Sequence, residues 1–215
     1  MGILKKLRLI YGKLYKSFGP QRWWPADTPF EVMVGAILTQ NTNWQNVEKA
    51  VANLKKNKAL DPVKLYRMPL KKLALLIRPA GYFNIKAKRL KNFLKFYLDD
   101  YGAKVKNMRC VNRHILRNEL LCVNGVGQET ADSILLYALH KPVFVVDAYT
   151  KRICSRHGLI PEDASYQDAQ KLFMQNLKND VQLFNEYHAL LVRAGKDFCR
   201  KSKPRCGICP LKDLL

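Results

Sequence analysis

The chain has 215 residues, with 38 Lys and Arg against 17 Asp and Glu, a net charge of +21, and 48% hydrophobic residues. That length and composition suit one large or two small globular domains with a proper core. No apolar run approaches the roughly 20 residues that span a bilayer, which excludes a membrane-spanning helix. The excess positive charge favours a polyanionic partner. Nucleic acid is the first candidate, because phosphate neutralisation dominates such binding. Basic residues are spread along the whole chain, which argues against a membrane-surface patch. A solvated basic surface is the plain alternative.

The segment Met1 to Tyr15 is basic and amphipathic, and reads as a first helix rather than a secretion signal. Thr28-Pro29-Phe30-Glu31 reads as a helix start: Thr28 caps, Pro29 takes the first helical position and Glu31 completes a capping box. The apolar run Val32 to Leu38 follows as a buried helix. Gln40-Asn41 interrupts it, and Thr42 with Gln45 offers a second capping box ahead of Val47, Ala50, Val51 and Leu54. Two short helical patterns lie between Leu60 and Leu76, punctuated by Pro62 and Pro69. Arg78 to Tyr82 breaks the pattern, and Lys86 to Tyr97 resumes it with Leu90, Phe93, Leu94 and Tyr97 on one face. Asn112 to Leu121 and Gln128 to Leu139 are helices around a Gly-containing turn. Val143 to Val146 is a short buried run. Ala148 to His157, Tyr166 to Leu177 and Val181 to Ala194 are the last helices. The class is all-α, with about ten helices and short loops.

Between two of these helices stands Asn124-Gly125-Val126-Gly127. Glycines at i and i+2 permit positive φ and close approach of another chain segment. The next helix begins near Gly127, so its free N–H groups and positive dipole end form an anion site that suits a DNA phosphate. An ordinary helix connection with a glycine cap is the competing reading.

With Thr130-Ala131 behind it, this hairpin resembles that of the helix-hairpin-helix DNA glycosylases. The family usually has Pro where this chain has Asn124. Val145-Val146-Asp147-Ala148-Tyr149-Thr150-Lys151-Arg152 is similar to the family's catalytic segment. Ile37-Leu38-Thr39-Gln40-Asn41-Thr42 resembles its first helix and DNA-wedging loop. Gly81-Tyr82-Phe83-Asn84-Ile85-Lys86-Ala87 looks like a segment of endonuclease III relatives. The resemblance implies two α-helical lobes with a DNA cleft between them. One is a helical barrel over 29–140 that contains the hairpin. The other joins 1–28 to 141–215.

An Asp after a buried run and before a helix is ordinarily an N-cap. The resemblance implies more for Asp147, the catalytic carboxylate. Breaking a C1′–N bond builds cationic character on the sugar, which one fixed carboxylate stabilises while it orients or deprotonates a water. The base must first leave the stack. Gln40 is the wedge by resemblance, and Gly125, Gly127, Thr130 and Lys196 are the remaining DNA contacts. In endonuclease III a Lys lies between the hairpin and the Thr-Ala pair and gives lyase activity. This chain has Glu129 there, and a carboxylate cannot form a Schiff base. The expectation is a monofunctional DNA glycosylase that acts alone, as a monomer, on double-stranded DNA with a damaged base, in the cytoplasm at the nucleoid. An endonuclease III-type glycosylase/lyase on oxidised pyrimidines, and a non-catalytic DNA-binding module, are the alternatives.

Trp23, Trp24 and Trp44, all the tryptophans of the chain, fall within 22 positions around the wedge segment. Aromatic faces stack on a flipped base and attract a cationic one. Here the chain most resembles the branch that removes N-alkylated purines, so these three are the expected base pocket. Near the C-terminus, Cys199-x6-Cys206-x2-Cys209 matches three of the four ligands of the family's 4Fe–4S loop, and Leu215 stands at the fourth place. A cluster with an exogenous ligand, a zinc site, a loop without metal and a chain cut before its last ligand all stay open. Cys154 is too distant in sequence to be a natural substitute.

Overall fold

A computed structural model describes residues 2–214. Among them there are twelve α-helices, short 3-10 turns, one π-helical stretch and no strand. The described residues divide into two compact units, Met1–Pro25 with Pro142–Leu215 and Ala26–Lys141. The outermost residues, Met1 and the Leu215 of the cysteine spacing, lie outside the described residues. Among the described residues no helix is long and apolar enough to cross a membrane.

In the unit Ala26–Lys141 the central element is α2 (Pro29–Leu38), where every residue from Phe30 to Leu38 is buried. A helix that is apolar all round must be covered on all sides. Here the cover comes from α3 (Trp44–Lys56), α6 (Phe83–Asp99), α9 (Gln128–Ser133) and the π-helical stretch Ile134–Ala138 that continues α9. α6 turns Lys86, Ala87, Leu90, Phe93, Leu94 and Tyr97 inward, at helical spacing. Its Tyr97 stacks on Phe30, with ring centroids 5.9 Å apart. Burying such side chains stabilises the unit by roughly 1.5–3 kcal/mol each. The short helices α4 (Pro62–Arg67) and α5 (Leu70–Leu76) pack against α6. α7 (Val105–Cys110) leads into α8 (Arg113–Cys122), which is joined to α9 by the Gly-Val-Gly turn.

The expected start of α2 is present in modified form. Thr28 Oγ1 accepts from the Glu31 N–H at 3.1 Å, but Glu31 reaches back to the Asp27 N–H, one residue further than the usual box. The second expected box is not formed. Asn43 caps α3 by accepting from the Asn46 N–H at 3.0 Å. The Thr42 hydroxyl instead donates to Ala80 O at 2.6 Å, a tertiary bond that outcompetes the local one.

The other unit is built on α12 (Val181–Asp197), against which α1 (Ile3–Phe18) and α10 (Ala148–Arg156) pack. α1 buries Leu7, Ile10 and Leu14, and Tyr187 on α12 donates its hydroxyl to Leu7 O at 2.8 Å. The buried run Val143 to Val146 lies outside any helix or strand. Its Phe144 stacks on Phe173 of α11 (Tyr166–Asn176) at 3.7 Å and meets Phe184 edge-on. Gly195 is buried where α12 crosses α10, and a Cβ there would lie within 3 Å of the Tyr149 ring.

Candidate active site

Asp147 begins α10 with an extended backbone, and its Oδ1 accepts from the Thr150 N–H at 2.7 Å. This satisfies one of the free donors of the helix start and fixes the carboxylate at the positive end of the helix. The side chain retains 12% exposure. Its Oδ2 is 3.7 Å from His188 Nε2 on α12. Burial holds the His188 imidazole below its usual range, while Asp147 pulls it up. Cys154, about two helical turns further along α10, is buried and its thiol is pushed up to about 12 by burial and by Asp147. It belongs to the surroundings of Asp147 and does not line the pocket of the other cysteines.

In the other unit the hairpin has the expected form. Gly125 takes φ +95, which only glycine adopts readily, and a Cβ there would collide with the side chain of Arg89. Gly127 is different. It takes an ordinary extended φ at the cap of α9, with open space where a Cβ would point. The lyase position Glu129 sits exposed in the first turn.

The wedge loop departs from expectation. Gln40 does not project. Its Nε2 donates to Gly125 O and to Thr130 Oγ1, both at 2.9 Å, and its Oε1 accepts from Arg89. Thr130, expected to contact DNA, is buried and used for this internal bond. Gln40, the expected wedge, and Thr130, an expected DNA contact, are thus bonded to each other. An amide with two donors and an acceptor finds three matching partners, two on the hairpin and its following helix and one on α6. The exposed tip of the loop is Asn41, at φ +51. Beside it Tyr82 is 70% exposed at φ +45. The two loops are tied together by Thr42 and by Lys86. The ammonium of Lys86 is buried and donates to Leu38 O at 2.8 Å and Ala80 O at 2.7 Å. Burial and the nearby Arg89 push its pKa down to about 8. The Gly-Tyr-Phe-Asn-Ile-Lys segment contained the signal for Tyr82 and Lys86, but no local pattern assigns them roles.

Trp23 and Trp24 lie half-buried in one unit, with ring centroids 5.6 Å apart in an edge-on arrangement. Trp44 opens α3 in the other unit and donates its Nε1–H to Glu48 Oε1 at 2.6 Å. Lys196 is exposed near the end of α12.

Cys199, Cys206 and Cys209 line one pocket, on whose other walls are Ile153, Arg156 and His157. Burial pushes the Cys209 thiol up, and its neighbours Cys199 and Cys206 push the same way. A cubane cluster takes four protein ligands. Three thiols line one pocket here, Cys154 does not line it, and the fourth place in the spacing is a leucine outside the described residues. The donor set therefore does not fit a four-cysteine cluster.

Comparison with known proteins agrees with this architecture. Across 214 residues the chain is 53% identical to MJ1434 of Methanocaldococcus jannaschii, a protein to which DNA repair glycosylase activity is ascribed, covering 97% of this chain and 96% of that one. It is 27% identical over 188 residues to endonuclease III of Bacillus subtilis, covering 87% and 81%. Among solved structures, Helicobacter pylori 3-methyladenine DNA glycosylase (MagIII) bound to 1,N6-ethenoadenine superposes with a TM-score of 0.76 at 31% identity, over 91% of this chain and 98% of that one. An endonuclease III–DNA complex superposes with a TM-score of 0.85 at 25% identity, over 100% and 95%. The family described as HhH-GPD superfamily base excision DNA repair protein matches residues 34–179. That match runs from within α2 to beyond α11 and takes in both the hairpin and Asp147, so the chain belongs to the HhH-GPD superfamily of base excision DNA repair proteins.

Proposed function

We propose that this protein hydrolyses the N-glycosidic bond of a damaged base in duplex DNA, with N-alkylated purines as preferred substrates. The observation that carries the reading is Asp147. It is a carboxylate fixed by the Thr150 N–H at a helix start, with its second oxygen and some exposure left over. As the C1′–N bond breaks, positive charge grows on the sugar and the carboxylate stabilises it. Water adds its oxygen to C1′ and gives its proton to Asp147, and the base leaves with the bonding electrons. A cationic alkylated purine leaves as a neutral molecule and needs no acid, which suits a site with one carboxylate.

The open N-terminus of α9 at Gly127 takes a DNA phosphate. Asn41 and Tyr82, the exposed left-handed residues at the tips of the two tied loops, fill the space that the flipped nucleotide vacates. Gln40, Arg89 and Lys86 position those tips. Trp23, Trp24 and Trp44 offer ring faces to the base. MagIII, whose structure holds 1,N6-ethenoadenine, supports the choice of a modified purine.

The test is a panel of lesion-containing duplexes. Methylated purines are expected to be released faster than oxidised pyrimidines. Trp24→Ala or Trp44→Ala should lower excision more than it lowers binding to undamaged duplex. The cation–ring term at stake is roughly 1–2 kcal/mol when desolvated, about tenfold in rate. Faster release of oxidised pyrimidines would place the chain functionally with endonuclease III.

Monofunctional chemistry follows from Glu129. Borohydride reduction during turnover is expected to trap little covalent protein–DNA adduct, because no amine stands at the lyase position. Abundant trapping, measured by gel shift, would show that another lysine serves and would favour the bifunctional alternative.

A further inference from the structure

The Thr150 N–H holds one oxygen of Asp147, which is a single constraint on the carboxylate. The torsion that sets the plane of a carboxyl group is broad, so one bond leaves the second oxygen loosely directed. The group that faces this second oxygen comes from another helix. His188 Nε2, on α12, lies 3.7 Å from Asp147 Oδ2. That is longer than a hydrogen bond, as catalytic contacts commonly are before substrate binds.

Packing holds the imidazole in that place. His188 is buried, and Phe144 meets its ring edge-on with centroids 6.5 Å apart. Phe144 also meets the ring of the adjacent Tyr187 edge-on at 5.9 Å, and Tyr187 is tied to α1 through Leu7 O. α12 comes this close to α10 because Gly195 has no side chain to set against Tyr149, two residues beyond Asp147. All these contacts lie within the unit Met1–Pro25 with Pro142–Leu215.

We propose that His188 is a positioning residue for Asp147, its Nε2–H facing Oδ2 and setting the plane of the carboxylate, an inference that rests on the reading of Asp147 as the catalytic group. The tautomer with the proton on Nε2 is the one that offers a carboxylate a donor rather than a lone pair. Burial outweighs Asp147 and lowers the pKa of the ring, so the imidazole is neutral at neutral pH. A neutral donor supports an anion without cancelling its charge. An imidazolium would cancel it and weaken the attraction to the sugar cation. Burial also pushes Cys154 on α10 and Tyr187 on α12 upward, so neither adds a charge beside the pair.

The experiment uses the full chain and, from the lesion panel, the duplex that the parent chain turns over fastest. His188→Leu removes the donor and should lower single-turnover excision by at least about tenfold, the scale of a hydrogen bond to a charged group. The Kd for the same duplex should stay within about twofold, since the loss falls on the chemical step. His188→Gln returns an N–H donor near the same place and should restore most of the rate. In an Asp147→Asn background, His188→Leu should cost less than about threefold more, because effects that run through one group do not add. In the parent chain, 15N spectra should show a neutral Nε2–H ring, assigned among the four histidines by its loss in His188→Gln. This readout needs no folded His188→Leu, and circular dichroism checks the fold of each variant. A folded His188→Leu with the parent rate, a Gln variant no better than the Leu variant, a full further loss in the Asp147→Asn background, or a ring protonated on Nδ1 alone would each overturn the role of His188. Near-parent excision by Asp147→Asn would instead overturn the reading of Asp147, and the role of His188 with it.

Discussion

Asp147→Asn is expected to lose at least about 100-fold in single-turnover base excision, the range for a positioned acid–base or electrostatic group. The substitution isolates charge from structure. Asn is as good an N-cap as Asp, so the bond from the Thr150 N–H survives and α10 still starts at the same residue. The volume hardly changes beside His188. On the proposed mechanism, what disappears is the negative charge that faces the developing sugar cation and the base that receives the proton from water. Binding to lesion-containing duplex, measured by anisotropy, should stay near that of the parent chain, and the melting temperature should move little. Excision within a few-fold of the parent would remove Asp147 from the mechanism.

Arg117→Met is expected to produce the largest loss of stability. Arg117 on α8 and Asp132 on α9 form a two-pronged pair, Nε to Oδ1 at 2.7 Å and Nη2 to Oδ2 at 3.0 Å. The Asp132 side chain is fully buried. Removing only the guanidinium leaves a buried carboxylate without its cation, which costs about 3–5 kcal/mol. For a chain of this size that lowers the melting temperature by on the order of 10 °C. The paired change Arg117→Met with Asp132→Leu should recover most of the loss, because it removes the stranded charge as well. The pair joins the two helices that flank Gly125, so the single variant should also bind DNA more weakly. A melting temperature for Arg117→Met within about 2 °C of the parent would show that Asp132 is adequately held by other groups.

Much of the local architecture was legible along the chain, because the forces behind it act within a turn or two. Thr28 caps a helix through a bond to the residue three positions on, and Asp147 does the same. The apolar spacing of Lys86 to Tyr97 marks the face that α6 buries, and the apolar run before Asp147 marks a buried segment. Gly125 is glycine because its φ is positive, a property of one residue. Resemblance of motifs in order was enough to place hairpin and carboxylate in one family.

Roles that depend on distant partners were not legible. That the amide of Gln40 bonds Gly125 and Thr130, 85 and 90 residues away, is set by the fold and not by any local pattern. Thr42 has the composition of a cap, but Ala80 claims its hydroxyl across 38 residues. Lys86 looks like a surface lysine interrupting an apolar face, yet the carbonyls of Leu38 and Ala80 accept its ammonium in the interior. In each case the local sequence fixes which donors and acceptors a side chain carries. Which partners satisfy them is decided by burial, since a polar group taken out of water must bond to whatever the fold places beside it.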